Sequence, residues 1–291
     1  MLKDFAGATA VITGAGSGFG REFALIGAHR KMKLVLADVQ ADALAQTSEM
    51  VATAGATEVI SQVTDVSQFE SMQSLADRCH EQFGPASLLF NNAGVAAGGL
   101  LWENEPADWA WVLGVNLVGV ANGVHAFVPA MVAAGKAAHV INTASVAGLV
   151  SPPTLGIYNV SKHGVVALSE TLYHDFRLVK APIGVSVLCP AFVPTGIAAS
   201  ERNRPQDMRS KQPPTASMQA AQQATAKAVG AGKISAADVA QATFKAIEDD
   251  RFYIVTHGKI MDSVRTRAED VALLRNPTDP YARKQDVTPE L

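Results

Sequence analysis

Seven short β-forming apolar runs, separated mostly by helix-length segments, constrain this 291-residue chain more than any other feature. The runs are 8–13, 33–37, 58–63, 87–90, 139–142, 184–188 and 252–255, and helical patterns begin near Phe19, Ala41, Gln68, Pro106, Ile157 and Ala236. Runs that stay apolar instead of alternating suit strands covered on both faces. Strands alternating with helices pair in parallel through right-handed crossovers. The predicted fold class is therefore α/β, a doubly wound parallel sheet of about seven strands with helices on both faces. With 48% hydrophobic residues there is ample material for a core, and 1–291 reads as one domain. Two segments break the rhythm. Residues 196–233, with Pro205, Pro213 and Pro214, are too long for an ordinary connection and read as a substrate-side lid or a mobile segment. Residues 258–291 form a C-terminal extension, with a charged amphipathic helix over 259–275 and an irregular stretch over 276–291.

Several classes of partner are disfavoured. The formal net charge of −3 gives no attraction for nucleic acid or an anionic membrane. No apolar run is read as long enough to span a bilayer. The 259–275 helix carries both signs of charge and no Trp or Phe, which argues against a membrane surface. The N-terminus, MLKDFAGATAVITG, lacks the regions of a signal peptide, so a cytoplasmic protein is expected. Cys79 and Cys189 stand in unlike contexts and are expected to be reduced thiols. The seven histidines show no ligand spacing with Cys or carboxylates, so no metal is expected.

The first run leads directly into Thr13-Gly14-Ala15-Gly16-Ser17-Gly18-Phe19-Gly20 and then a helix. Glycines permit a sharp turn and close approach to a phosphate, and the helix N-terminus attracts the anion. The spacing is T-G-x-x-x-G-x-G, not G-x-G-x-x-G. Asp38 closes the second run, 18 positions after Gly20. A carboxylate there accepts both ribose hydroxyls of NAD and repels a 2′-phosphate, although it also suits a turn or helix cap. Val39 and Gln40 carry no positive charge and the glycine loop has none before Arg21, so NAD is favoured, with NADP as the alternative. Asp65, in Thr64-Asp65-Val66 after the third run, is placed to bond an adenine amino group or to cap a helix.

Ser145 follows the fifth run, Tyr158 lies 13 residues on, and Lys162 four further. Positions i and i+4 share a helix face, so Lys162 lies beside Tyr158. A free Tyr is a poor base near neutrality. An adjacent ammonium and a cationic nicotinamide favour its phenolate, which then takes a hydroxyl proton as hydride leaves. Ser145 would hold and polarise the substrate oxygen.

Over residues 5–257 the chain resembles the short-chain dehydrogenase/reductase family. The resemblance rests on the 13–20 loop, Asn91-Asn92-Ala93-Gly94, Asn116, Ser145, Tyr158-Asn159-Val160-Ser161-Lys162, and Pro190-Ala191-Phe192-Val193-Pro194-Thr195. It implies a Rossmann fold and a catalytic set of Asn116, Ser145, Tyr158 and Lys162. It implies cofactor contacts from Gly14, Ser17, Gly18, Phe19, Gly20, Asp38, Asp65, Val66, Asn92, Ala93, Gly94, Tyr158, Lys162, Pro190, Val193 and Thr195. Asn116 would bend its helix and hold a relay water on its backbone carbonyl, Lys162 would bind the nicotinamide ribose, and Val193 and Thr195 would contact the carboxamide. The resemblance also implies a homodimer or homotetramer, paired through the helices over 106–135 and 157–180. Two residues depart from the family pattern. Phe19 replaces a small aliphatic residue, and Ala191 replaces a glycine, which raises the question of backbone shape in the nicotinamide loop.

Val95, Ala96, Ala97, Gly98, Gly99, Leu100, Val146, Leu149, Val150 and Phe192 are expected on the substrate side. Their apolarity points to a small-molecule substrate, a hydrophobic or aromatic secondary alcohol or ketone. Arg202, Arg204, Arg209 and Lys211 make the start of 196–233 basic and are expected to form a solvated face. The alternatives are an NADPH-dependent carbonyl reductase and a non-catalytic nucleotide sensor on the same fold.

Overall fold

A computed structural model describes residues 2–281. The seven runs become the strands β1 (Thr9–Thr13), β2 (Lys33–Asp38), β3 (Val59–Val63), β4 (Leu88–Asn91), β5 (Ala138–Thr143), β6 (Ile183–Leu188) and β7 (Tyr253–Ile254). All pair in parallel, in the order β3-β2-β1-β4-β5-β6-β7. The helices are α1 (Gly18–His29), α2 (Ala41–Thr53), α3 (Phe69–Phe83), α4 (Pro106–Leu113), α5 (Gly119–Ala134), α6 (Gly156–Leu178), α7 (Ala216–Gly230), α8 (Ala236–Glu248) and α9 (Met261–Ala272).

Both faces of the sheet are apolar because both are covered. Ala10, Ile12, Leu34, Leu36 and Phe90 pack with Phe23 of α1, Val51 of α2 and Phe244 of α8. Val11, Val35 and Leu89, one residue out of phase, pack with Met72 of α3, Phe127 of α5 and Phe176 of α6. That alternation is the strand's period of two read against two helical layers. Phe23 and Phe90 stack at 4.7 Å at the centre of the first layer.

The helical stretch Pro106–Ala134 is, by length and composition, apolar enough to cross a bilayer, with a mean hydropathy of 1.6. This corrects the expectation that no run is long enough. The apolarity has a local cause, since α4 and α5 lie against α3, α6 and β4 and bury Trp111, Val112, Phe127 and Met131.

Strand order reverses between β1 and β4, which opens a crevice at the carboxyl ends of the strands. Thr13 fastens its floor. Its hydroxyl donates to the Phe90 carbonyl (3.2 Å) and accepts the N–H groups of Asn92 (2.9 Å) and Ala93 (3.1 Å). Asn92 Nδ2 donates to the Thr13 carbonyl (3.0 Å), and its Oδ1 accepts from Thr143 on β5 (3.2 Å). Deeper in the sheet, Asn91 donates to Asn142 (2.9 Å), which donates to Ser169 (2.9 Å).

His139 makes stability depend on pH. Its imidazole is 1% exposed and contacts Ser186 Oγ at 2.8 Å. The Ser186 hydroxyl donates to the Arg251 carbonyl, so His139 Nε2 carries the proton and donates. Burial pulls its pKa down from 6.5 to about 4. Below the unfolded value the denatured chain takes up a proton that the native chain refuses, so this contribution is complete above pH 6.5 and is lost as pH falls towards 4. The loss is at most about 3 kcal/mol. His139→Asn is expected to flatten the acid limb of a melting-temperature profile; an unchanged limb would mean that other groups govern it.

Candidate active site

Local backbone demands explain the glycine loop. Gly14 and Gly18 have φ of 64° and 53°, and a Cβ on Gly20 would fall 2.1 Å from the Gly14 carbonyl oxygen. The loop therefore closes tightly on the start of α1, whose first turn has no side-chain cap. Its N–H groups and the helix dipole suit an anion. Phe19 packs its ring against the first core layer, so the departure there fills space without altering the backbone cradle. Asp38 borders the loop at the same end of the crevice. Its two oxygens accept the N–H groups of Gly16 (2.8 Å) and Gln40 (2.9 Å). Asp38 thus closes a turn, and it also lines the crevice. Asp65 accepts from the Ser67 N–H (2.9 Å) and hydroxyl (2.7 Å) and lines the same space.

The crevice is a cavity of about 1010 Å³, at the upper end of ligand pockets. All the predicted site residues line it except Gly20 and Asn116. Gly20 is buried beneath the loop. Asn116 stands behind the wall at the centre of a π-helical turn, Gly114–Val118, between α4 and α5. Its carboxamide accepts the Val95 N–H (2.8 Å) and donates to the Val95 carbonyl (2.9 Å) and Ser161 Oγ (3.0 Å). It ties the segment after Gly94 to the turn of α6 that carries Tyr158 and Lys162. An uncapped helix N-terminus, a glycine cradle and a carboxylate bonded to that cradle together fit a dinucleotide.

At the other end, Ser145, Tyr158 and Lys162 converge. Ser145 follows β5 by two residues; its Oγ accepts the Ala147 N–H (3.1 Å) and donates to the Pro190 carbonyl (3.3 Å). Lys162 Nζ donates to the Thr143 carbonyl (2.8 Å) and lies 5.6 Å from the centre of the Tyr158 ring. Burial pulls the Lys162 ammonium down to about 8, so it remains mostly charged at neutrality. Burial pushes the Tyr158 phenol up to about 12, against a hydrogen bond with Ser145 that lowers it. In the chain alone Tyr158 is therefore a neutral acid, and further positive charge beside it is needed to make it a base. Cys189, buried next to this group, is pushed up to about 12 by burial and stays a thiol.

Ala191 resolves the second departure. It is not among the residues with positive φ, and its N–H donates to His257 Nδ1 (3.2 Å), so the segment after β6 needs no glycine here. On the substrate side, Val95, Ala96, Val146, Val150 and Phe192 line the cavity as expected, whereas Ala97, Gly98, Gly99, Leu100 and Leu149 do not. Gly98 and Gly99 instead seat α7: Cβ atoms there would fall 2.8 Å from Ala221 Cβ and 2.7 Å from Met218 Cγ. The Leu100 N–H donates to Ser217 (2.9 Å), and Leu149 packs beside Val165 and Val166. Trp111, Pro152, Leu155, Met208 and Tyr281 line the cavity and were not expected. Only a helical phase argument on α4 would have suggested Trp111. Arg202, Arg209 and Lys211 are exposed, as the expected solvated face requires, and Arg204 is the exception. Arg204 is buried, paired with Asp108 and stacked 4.9 Å above Trp111. Arg202 binds the carbonyls of Gly196 (2.8 Å) and Ala199 (2.7 Å) and reaches Gln40 Oε1 at 3.4 Å. The predicted 259–275 helix is α9, over Met261–Ala272; residues 282–291 of the expected irregular stretch lie outside the described residues.

A family model described as short chain dehydrogenase matches residues 8–206. The chain belongs to this family. A short-chain dehydrogenase/reductase from Burkholderia phymatum, crystallised in complex with NAD, is 58% identical, covers 96% of this chain and 99% of its own, and superposes with a TM-score of 0.94. The CLA biosynthesis dehydrogenase/reductase of Lactiplantibacillus plantarum is 33% identical over 93% of this chain and 95% of its own. The 1-deoxy-11-beta-hydroxypentalenate dehydrogenase of Streptomyces avermitilis is 32% identical over 90% of this chain and 89% of its own.

Proposed function

We propose that this short-chain dehydrogenase interconverts hydrophobic or aromatic secondary alcohols and their ketones, using NAD in preference to NADP. The observation that carries the reading is the placement of Tyr158, Lys162 and Ser145 at one end of a cavity whose other end holds the glycine cradle and Asp38. The NAD found in the 58% identical relative supports the cofactor. When bound, NAD supplies the acceptor for the carbinol hydrogen, which departs with its bonding electrons. The chain supplies the rest. The Ser145 hydroxyl holds the substrate oxygen. Tyr158 Oη takes the hydroxyl proton in oxidation and returns it in reduction. Lys162, anchored on the Thr143 carbonyl, contributes the charge that favours the phenolate. Asn116 fixes the wall behind them, and its backbone carbonyl, in a π turn that alters helical bonding, seats a relay water leading from Lys162. The 196–233 segment acts as a lid that excludes water. Val118, Val160 and Leu178, exposed on the α4–α5 and α6 helices, support pairing of two copies through these faces; sedimentation as a monomer would contradict it.

A second reading, an NADPH-dependent carbonyl reductase, is favoured by one observation: Arg202 brings a guanidinium to Gln40, two residues beyond Asp38. Fluorescence titration with NADH and NADPH separates the two readings. About tenfold tighter NADH binding is expected from the carboxylate on the rim, and tighter NADPH binding would reverse the cofactor assignment. Acetophenone, cyclohexanone and 2-decanone, with the corresponding alcohols, then test the reaction. No turnover of any of them with either cofactor would overturn it.

A further inference from the structure

Of the four cations that open the 196–233 segment, Arg204 alone is buried, and a buried guanidinium is costly without a partner. Its partner comes from 96 positions away: the Arg204 and Asp108 side chains are 6% and 8% exposed and form an ion pair. Asp108 is held ready for it. One carboxylate oxygen accepts the Glu105 N–H (2.8 Å) in the capping box of α4, which leaves the other for Arg204. Three residues along the same helix, Trp111 lies under the guanidinium. Its indole also lines the substrate end of the cavity beside Met208, four residues past Arg204.

We propose that Asp108 and Arg204 form a clasp that holds the 196–233 segment shut and, through the stacked guanidinium, positions Trp111 as a wall of the substrate site. Both are positioning residues. A charged clasp suits a segment that must reopen. When it parts, both ions regain water, which offsets the lost attraction, whereas an apolar seal of the same size gains nothing on opening. Further contacts share the load near the middle of the segment, where Glu103 accepts from Thr215 (2.6 Å) and Ser217.

The kinetic part of this inference rests on the dehydrogenase reading; the mechanical part does not. Arg204→Met, Asp108→Asn and the double variant are compared with the parent, all saturated with NADH. Trypsin cleavage after the exposed Arg209 and Lys211 is expected to quicken about tenfold in each single variant, with the double variant no worse. NADH affinity should stay within about twofold, and KM for acetophenone should rise about tenfold with little change in kcat. Unchanged cleavage and KM would overturn the clasp. So would a parallel loss of NADH affinity, melting temperature and kcat at constant KM, which marks a merely structural pair. If the parent reduces none of acetophenone, cyclohexanone and 2-decanone, the dehydrogenase reading loses its support and the cleavage rates alone decide the clasp.

Discussion

Tyr158→Phe is expected to lower kcat between about a hundredfold and ten-thousandfold, the usual contribution of a positioned acid/base, while NADH affinity stays within about twofold. The substitution removes one oxygen and leaves the ring. Lys162 keeps its bond to the Thr143 carbonyl, and Ser145 keeps its two backbone bonds, so the cavity retains its shape. What is lost is proton transfer and the bond between the phenol and Ser145. The direction of pH dependence follows from the same group. Burial holds the phenol up to about 12 in the chain alone, so the neutral acid that serves ketone reduction is the resting form. Alcohol oxidation needs the phenolate, so its rate should rise with pH and the reductive rate should fall as Tyr158 ionises. Steady-state rates in both directions, with NADH titration as the control for binding, check this. A Tyr158→Phe protein that turns over at near-parental rate would remove Tyr158 from the chemistry.

Asp38→Ala is expected to weaken NADH binding about tenfold or more and to strengthen NADPH binding. Two physical effects act together. The ribose hydroxyls lose their acceptor and the 2′-phosphate loses its repulsion. The Gly16 and Gln40 N–H groups also lose their acceptors, which loosens the cradle for either cofactor. Asp38→Asn separates these contributions, because it removes the charge and keeps an oxygen acceptor. Arg202, 3.4 Å from Gln40, is the nearby cation available to a 2′-phosphate once the carboxylate is gone, so adding Arg202→Ala should cancel the gain for NADPH. Paired fluorescence titrations give the ratio directly, and an unchanged NADH-to-NADPH preference in Asp38→Ala would place the ribose reader elsewhere.

Much of the fold and of the cofactor end is legible in the sequence, and for a local reason. Strand bounds agree to within one residue because most runs are mainly apolar and stop close to a polar, glycine or proline residue; 58–63, with Glu58, Ser61 and Gln62, is the half-buried edge strand β3. The 13–20 loop, Asp38 and the Tyr158–Lys162 pair are readable because their geometry is set within a few bonds: left-handed φ at Gly14 and Gly18, a turn closed by a carboxylate, one turn of helix. The substrate end is less legible. Gly98 and Gly99 have the pattern of pocket lining, yet their missing side chains make room for α7, which approaches from more than a hundred residues away. The bilayer-length stretch Pro106–Ala134 escapes a reading of apolar runs because Asp108, Asn116, Asn122 and His125 interrupt the run in sequence but not the helical stretch.

Periodicity and short-range spacing act along the chain, so the parallel sheet, the glycine turn and the order of Ser145, Tyr158 and Lys162 can be read from the residues in order. What faces these groups follows from long-range packing. Burial, not spacing, sets Tyr158 and Lys162 in opposite directions from their ordinary pKa values. Arg204 and Arg202 stand two apart in one basic stretch, yet one is locked against Asp108 and Trp111 and the other reaches across to Gln40. A charge's neighbours depend on which distant surfaces fold together, and no local pattern encodes that.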